Sequence, residues 1–424
     1  MNQRPTYEPS RHFPQPQRLW DNAAQHATSL GCATCLELPL CGGVHTDAGV
    51  FDCSDLCSCK AKNKCDMVCR CNPAQFVARM REVGGLSFDN APRVPARGLP
   101  DLPPVIPFVD HRYRRAALLD EPVVALSLYD VVNLATGEVR ISSREALAHR
   151  FRIAERATVI LSGVDKDGLI ERWWELQNRP AVLAALAHLG VALITAPNYS
   201  VLTDVPRTDN LHAMKRILLS WTEMAAVGLR SALHVNGRTE HDYFRWANLI
   251  SSRPEIEAIA FEFATGGGRG SRIDWHVTQL CALADRVKRP LALVIRGGGR
   301  KLHELRRSFA RVSLIETDAF CRTLHRRRAY LTESGQVKWA KFPTPVGEAV
   351  DELLAHNVAV IRSAYEARIE ATSPLTLPAR AFPRRAAYRD GQPAQSCLLR
   401  QLDMAGQARS VPAEPQGIIS TTKP

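Results

Sequence analysis

The chain has 424 residues, enough for one large core and a smaller module. Apolar residues make up 45% and charged residues 23%, as in ordinary globular proteins, and no run of eighteen apolar residues offers a membrane span. The formal net charge of +12, carried mostly by Arg, attracts polyanions such as nucleic acid.

Residues 1–30 are rich in Pro, Gln and Arg and read as a flexible segment. They hold no apolar stretch suited to a signal peptide, so a cytoplasmic location is expected. Residues 31–90 form a module that holds nine of the twelve cysteines. These fall into three groups: Cys32, Cys35 and Cys41; Cys53, Cys57 and Cys59; and Cys65, Cys69 and Cys71. The last two groups repeat one spacing twelve residues apart. In a reducing compartment such a cluster reads as thiolate ligands sooner than as disulfides. Apolar residues are too scarce there to build a core without a staple. Zinc is the expected metal, as two tetrahedral sites or a three-metal cluster with shared thiolates, and an iron–sulfur cluster is the alternative. Cys281, Cys321 and Cys397 stand apart and read as small buried residues.

A Pro-punctuated linker, 91–104, leads to residues 105–372, where apolar runs alternate with amphipathic stretches. The strand candidates are 105–109, 123–128, 158–161, 192–196, 232–235, 258–263, 291–295 and 312–315. Near-continuous apolar runs are the mark of parallel strands covered on both faces. Helices are predicted over 210–227, 240–250, 275–287, 301–309 and 345–372. Eight strands with intervening helices predict a (β/α)8 TIM-like barrel behind the small Cys-rich module, an open doubly wound sheet being the alternative. Residues 373–424, rich in Pro, Arg, Gln and Ser without periodicity, read as a disordered basic tail.

Polar residues recur at the ends of these strands. Thr203-Asp204-Val205-Pro206-Arg207, Leu233-His234-Val235-Asn236-Gly237, Glu262-Phe263-Ala264-Thr265-Gly266-Gly267-Gly268 and Ile315-Glu316-Thr317-Asp318 occur in that order, followed by Arg326-Arg327-Arg328-Ala329-Tyr330. The ordered series, over roughly residues 157–335, resembles the tRNA-guanine transglycosylase-like barrel superfamily. The resemblance implies an Asp nucleophile at Asp318 and a proton-shuttling acid at Asp165, with Asp167 as its alternate. It further implies a guanine-type base held by Asp204, Asn236 and the backbone of Gly266, Gly267 and Gly268. Such chemistry suits the residue types: a carboxylate forms a glycosyl ester as one base leaves, and a second acid protonates the departing base. Each residue also has a plainer reading, Asp204 and Asp318 as helix caps, Asn236-Gly237 and Asp165-Lys166-Asp167-Gly168 as turns.

Family members that act on tRNA carry a cysteine–histidine zinc site after the nucleophile strand, and none follows Asp318. The expected activity is therefore exchange of guanine for a 7-deazaguanine derivative in DNA, favoured over tRNA, with Arg326, Arg327 and Arg328 on the nucleic-acid phosphates. The partners are thus DNA and a free 7-deazaguanine-type base. Two other classes stay open: a non-catalytic, metal-containing nucleic-acid-binding protein, and an iron–sulfur redox enzyme.

Overall fold

The computed structural model describes residues 44–45, 79, 81–110, 115–201, 205–268, 270, 272–345 and 347–371. All nine clustered cysteines, Asp204, Cys397 and the segments 1–30 and 373–424 lie outside the described residues.

The core is an eight-stranded, all-parallel sheet. Its strands are β1 (Val105–Pro107), β2 (Val123–Ser127), β3 (Thr158–Ser162), β4 (Leu193–Thr195), β5 (Ser231–His234), β6 (Ala258–Glu262), β7 (Ala292–Arg296) and β8 (Arg311–Glu316). Each pairs with its neighbours in chain order, and β8 returns to pair with β1. Between β1 and β2 the ladder thins to one parallel bridge, Phe108 to Ala125, and one bond from Val109 N–H to the Ala125 carbonyl at 3.0 Å. The sheet is thus nearly closed and barrel-like. All eight predicted strands are present.

Alternation along each strand sorts the core into two compartments. Ile106, Ala125, Ile160, Leu193, Ala232, Ala260, Val294 and Ile315 fill the inside of the sheet. Their neighbours Val124, Leu161, Ile194, Leu233, Ile259, Ile295 and Leu314 face outward and join the helices in the larger cluster. The inner set is rich in Ala, so the walls approach closely. Leu99 and Leu102 pack against this inner set, so the segment expected as a linker lies against the sheet interior.

The outer layer comprises α1 (Arg144–Phe151), α2 (Asp167–Glu175), α3 (Arg179–His188), α4 (Arg207–Ala226), α5 (Glu240–Ser252), α6 (Arg272–Val287), the one-turn α7 (Leu302–Leu305), α8 (Asp318–Leu324) and α9 (Asp351–Ala371). Between α8 and α9 an antiparallel hairpin pairs β9 (Arg327–Leu331) with β10 (Val337–Lys341). Three expectations for helices need correction. The stretch 301–309 forms only a single helical turn followed by tight turns. There α9 covers the sheet instead, with the Tyr365 hydroxyl set against Gly299. The last helix begins at Asp351 and not at Pro345, because Gly347 sits at φ +85, outside the helical region. Helices α1, α2 and α3 went unpredicted. The α1 start is nevertheless marked by Ser143, whose hydroxyl accepts from the Ala146 N–H.

The chain just ahead of the sheet packs onto it as well. Phe88 is buried with its ring centroid 4.6 Å from that of Trp246, a contact worth on the order of 2 kcal/mol in burial alone. Lys215, fully buried on α4, donates from Nζ to the Ser87 carbonyl and to Asn90, which ties residues 87–90 down. Burial pulls that ammonium down to about 8. The expectation of buried lone cysteines fails at Cys321, which is exposed on α8, and Cys281 is only partly buried. Residue 321 lies beside the buried pair Ala319 and Phe320, on a side of α8 left exposed among the described residues.

Candidate active site

Because every strand of the sheet is parallel, all the strand C-termini open on one end. Between the loops after β3, β4, β5, β6 and β7 lies a cavity of about 510 Å³. Asp165 and Asp167 line it from the first of these loops, Asn198 and Ser200 from the second, and Asn236 and Arg238 from the third. Glu262, Thr265 and Gly267 come from the β6 end, His276 from α6, and Arg296 from β7.

Asp165 is partly buried and accepts from the Ser127 hydroxyl at 3.2 Å and from the Lys166 N–H at 2.8 Å. Asp167 opens α2 and accepts from Ser200 at 2.7 Å. The Asn236 amide donates to Asn198 at 3.2 Å, while its side-chain carbonyl accepts from the Gly237 N–H at 3.0 Å. That second bond is the local turn expected of Asn-Gly, and the first aligns two side-chain amides along the cavity wall.

Gly266–Gly268 form one 3₁₀ turn after β6. Only Gly267 lines the cavity. At Gly268 a Cβ would fall 1.7 Å from the Phe263 carbonyl oxygen, so the turn folds flat against the strand end it leaves. The glycines here set loop shape first, and that shape brings the Gly267 backbone to the cavity.

Two charged residues missed in the sequence reading occupy the floor. Glu262 ends β6 and Arg296 ends β7, paired in register. Both point inward by alternation from Ala260 and Val294. One Glu262 oxygen accepts from the Ala264 N–H at 2.5 Å. The other lies 4.0 Å from Arg296 Nε, beyond hydrogen-bonding reach, and neither of those two atoms has a hydrogen-bond partner among the described residues. Burial pushes the Glu262 carboxyl up to about 7, against the opposing pull of Arg296 and of the Ala264 and Thr265 amides. Arg296 is held by a 2.6 Å bond from Nη1 to the Val164 carbonyl and lies 5.1 Å over the Phe108 ring.

Below them Ser162 and His234 also point inward, and the Ser162 hydroxyl and His234 Nδ1 are likewise buried without a partner among the described residues. Burial, with Arg296 near by, drives His234 down to about 3. Burial first, then Arg238 and Arg272, does the same to His276. The Tyr243 hydroxyl lies 2.7 Å from His276 Nδ1; donating there, it leaves the proton of the neutral ring on Nε2. The sequence signal for Glu262 and Arg296 was present. A strand reading Ala-Ile-Ala-Phe-Glu and another reading Ala-Leu-Val-Ile-Arg each end an apolar run on a charge that must face the interior.

Asp318 follows β8 at the same end of the sheet, but it is exposed and does not line the cavity. Nor does it cap α8 with its side chain. Glu316 does so, accepting from the Asp318 N–H at 2.6 Å and the Ala319 N–H at 3.0 Å. Burial, joined by the Asp318 charge, pushes Glu316 up to about 7. Arg326 sits at φ +52 and turns inward, donating to Thr344 and to the Thr323 carbonyl that ends α8. Arg327 and Arg328 lie on β9.

The cavity thus gathers Asp165, Asn236 and Gly267 of the expected residues and adds Glu262, Arg296 and His276. Three carboxyls in unlike surroundings, Asp165, Asp167 and Glu262, with a fixed guanidinium and amides on facing walls can bind a flat polar ring and move a proton on it. Comparison with protein-family models gives no match for this chain, and comparison with curated proteins gives none either. Among the described residues no helix is long and apolar enough to cross a membrane.

Proposed function

We infer that the cavity is the active site of a base-exchange enzyme, in a (β/α)8 TIM-like barrel, that replaces guanine by a 7-deazaguanine derivative in DNA, in preference to tRNA. The observation that carries this reading is the pairing of Asp165 with a deeply buried Glu262 in one polar cavity walled by Asn236 and Gly267. Glycosyl transfer needs two carboxyls with different tasks, and different surroundings supply the difference.

The Asp165 carboxylate attacks C1′ of the target nucleoside while the C1′–N bond breaks. Glu262, close to half protonated at neutral pH, gives its proton to the departing base. An incoming base returns a proton to Glu262 and displaces the glycosyl ester, which frees Asp165. Arg296 and the His276 ring stabilise negative charge on the base as its bond to the sugar breaks. The target nucleotide leaves the stack to reach such a pocket. Asp318, expected as the nucleophile, is the alternate attacking group. The nine cysteines are assigned to bound zinc, with an iron–sulfur cluster as the alternative.

The test is nucleoside mass spectrometry of DNA and tRNA from cells that express the protein and are supplied with 7-deazaguanine bases. A new nucleoside is expected in DNA with the wild type and with Asp318→Asn, and none with Asp165→Asn or Glu262→Gln. Unmodified DNA and tRNA beside soluble wild-type protein would refute base exchange. Loss in Asp318→Asn alone would move the nucleophile to the β8 end.

A further inference from the structure

Away from the cavity, the β9–β10 hairpin presents a surface that is both basic and aromatic. Residues 326–342 contain five cations and a single carboxylate, Glu333. Register places Tyr330 opposite Lys338 and Arg328 opposite Ala340. Alternation then divides the hairpin into two faces. Ala329 and Trp339 turn toward α9, where Asn357 holds the strand: its side-chain carbonyl accepts from the Ala329 N–H at 2.7 Å and its amide donates to the Arg327 carbonyl at 2.9 Å. Arg328, Tyr330, Lys338 and Phe342 fall on the opposite face.

That face is open. Tyr330 is 49% exposed and Phe342 38%, two of the five large apolar side chains exposed among the described residues. The Arg328 guanidinium lies 5.2 Å over the Phe342 ring, so one cation is already held flat on an aromatic surface. Lys338, beside them on this face, has no ion-pair partner among the described residues. A solvated charged face carries no energetic reason to expose aromatic rings, and an apolar docking face carries no reason to surround them with uncompensated cations. Rings and cations together fit a chain of bases joined by phosphates. Tyr330 and Phe342 are separated by roughly 13 Å of strand rise, the four residue steps from Lys338, opposite Tyr330, to residue 342.

The hairpin is also placed to serve the cavity. It runs along α9, with Arg328 bonded to His356 at 3.2 Å and the Gly335 carbonyl at its turn accepting from Arg368 at 3.3 Å. Tyr365, one helical turn before Arg368, abuts Gly299 in the loop after β7. The hairpin turn therefore lies toward the end of the sheet where the strand C-termini open.

We propose that the outward face of this hairpin, Arg328, Tyr330, Lys338 and Phe342, is a binding platform for single-stranded nucleic acid. The bases stack on Tyr330 and Phe342, and Arg328 and Lys338 meet the phosphates. Arg326, committed to the end of α8, is not part of it. The platform does not depend on the chemistry assigned to the cavity, and binding is measured without turnover.

The experiment is fluorescence anisotropy of the full chain with a labelled 20-nucleotide oligothymidine and with a duplex of equal length, over a salt series. Single strand is expected to bind more tightly than duplex. Tyr330→Ala and Phe342→Ala should each weaken it by roughly 5- to 150-fold, the range for loss of one stacked base. Lys338→Ala should lower the log–log salt slope by about 0.7, the value for one phosphate contact on a single strand. Lys338→Glu reverses the charge at an exposed position with no bond to α9, and should weaken binding strongly while the thermal midpoint stays put. Wild-type affinity in the two aromatic variants would overturn the platform. So would a dimer by sedimentation that dissociates on Tyr330→Ala, since the face would then be a contact between copies of the chain. Loss of base exchange in the Glu262→Gln protein with oligothymidine binding intact would separate the two sites.

Discussion

Replacing Glu262 by Gln tests the most unusual group in the cavity through folding alone, without any substrate. Three influences compete at this carboxyl. Burial disfavours the charged form, while Arg296 and the two amides of the β6 loop favour it, and burial wins. The folded value of about 7 lies above the ordinary 4.5 of the unfolded chain. The folded protein therefore holds a proton that the unfolded chain has released over that interval, and stability is lost as pH rises. The contribution is fully present below about 4.5 and has gone above about 7. From pH 5 to 8 the loss comes to about 2–3 kcal/mol. Gln carries no such charge, so Glu262→Gln should gain that much on the wild type over the same interval, and should be the more stable protein at pH 8. His234 and His276 work in the opposite sense. Both are held neutral by burial, with folded values near 3, so the unfolded chain takes up their protons first and stability falls as pH drops below about 6.5. Both proteins keep these histidines, and the difference between their urea unfolding curves at pH 5, 6.5 and 8 cancels them. A difference that does not change with pH would refute the assignment of a raised carboxyl. A difference of opposite sign would mean that Arg296 wins over burial and that Glu262 is a permanent anion unsuited to carrying a proton.

The remaining predictions concern the hairpin support and the metal. Asn357→Ala removes three hydrogen bonds in a fully buried place, those with Ala329, Arg327 and Thr323, and should cost on the order of 3 kcal/mol in urea unfolding. Hydrogen exchange should show the Ala329 amide released, and a protected amide in that variant would refute the view that α9 pins the hairpin through this side chain. Elemental analysis of the purified full chain should find two to three zinc ions per molecule, with no visible absorption, as nine clustered thiolates imply. Iron with visible bands would select the cluster alternative, and metal-free protein with reactive thiols would refute the metal module.

The eight strands were legible because each is an apolar run that parallel pairing buries on both sides, from Val105–Pro107 to Arg311–Glu316. Asp165, Asn236 and Gly267 were legible because they follow strands, and chain order alone puts strand ends of a parallel sheet on one side. Distance around the ring was not legible. Asp318 follows β8, while the cavity opens among the loops of β3 to β7, and no sequence spacing reports which loops lean together. Glu262 and Arg296 show the same limit from the other side. Residue type marked each as odd within its strand, but only the parallel register of β6 and β7 sets them side by side, and only closure of the sheet buries Glu262 deeply enough to raise its proton affinity. Glu316, and not Asp318, caps α8 because a side chain bending back over its own turn is settled by packing. The cation excess of the hairpin likewise stood in the sequence, but the pairing with β10 and the anchoring by Asn357 decided which side chains face out. Periodicity and composition, which are local, determined the elements and their order. Which charges became buried neighbours depended on long-range closure, which no local pattern encodes.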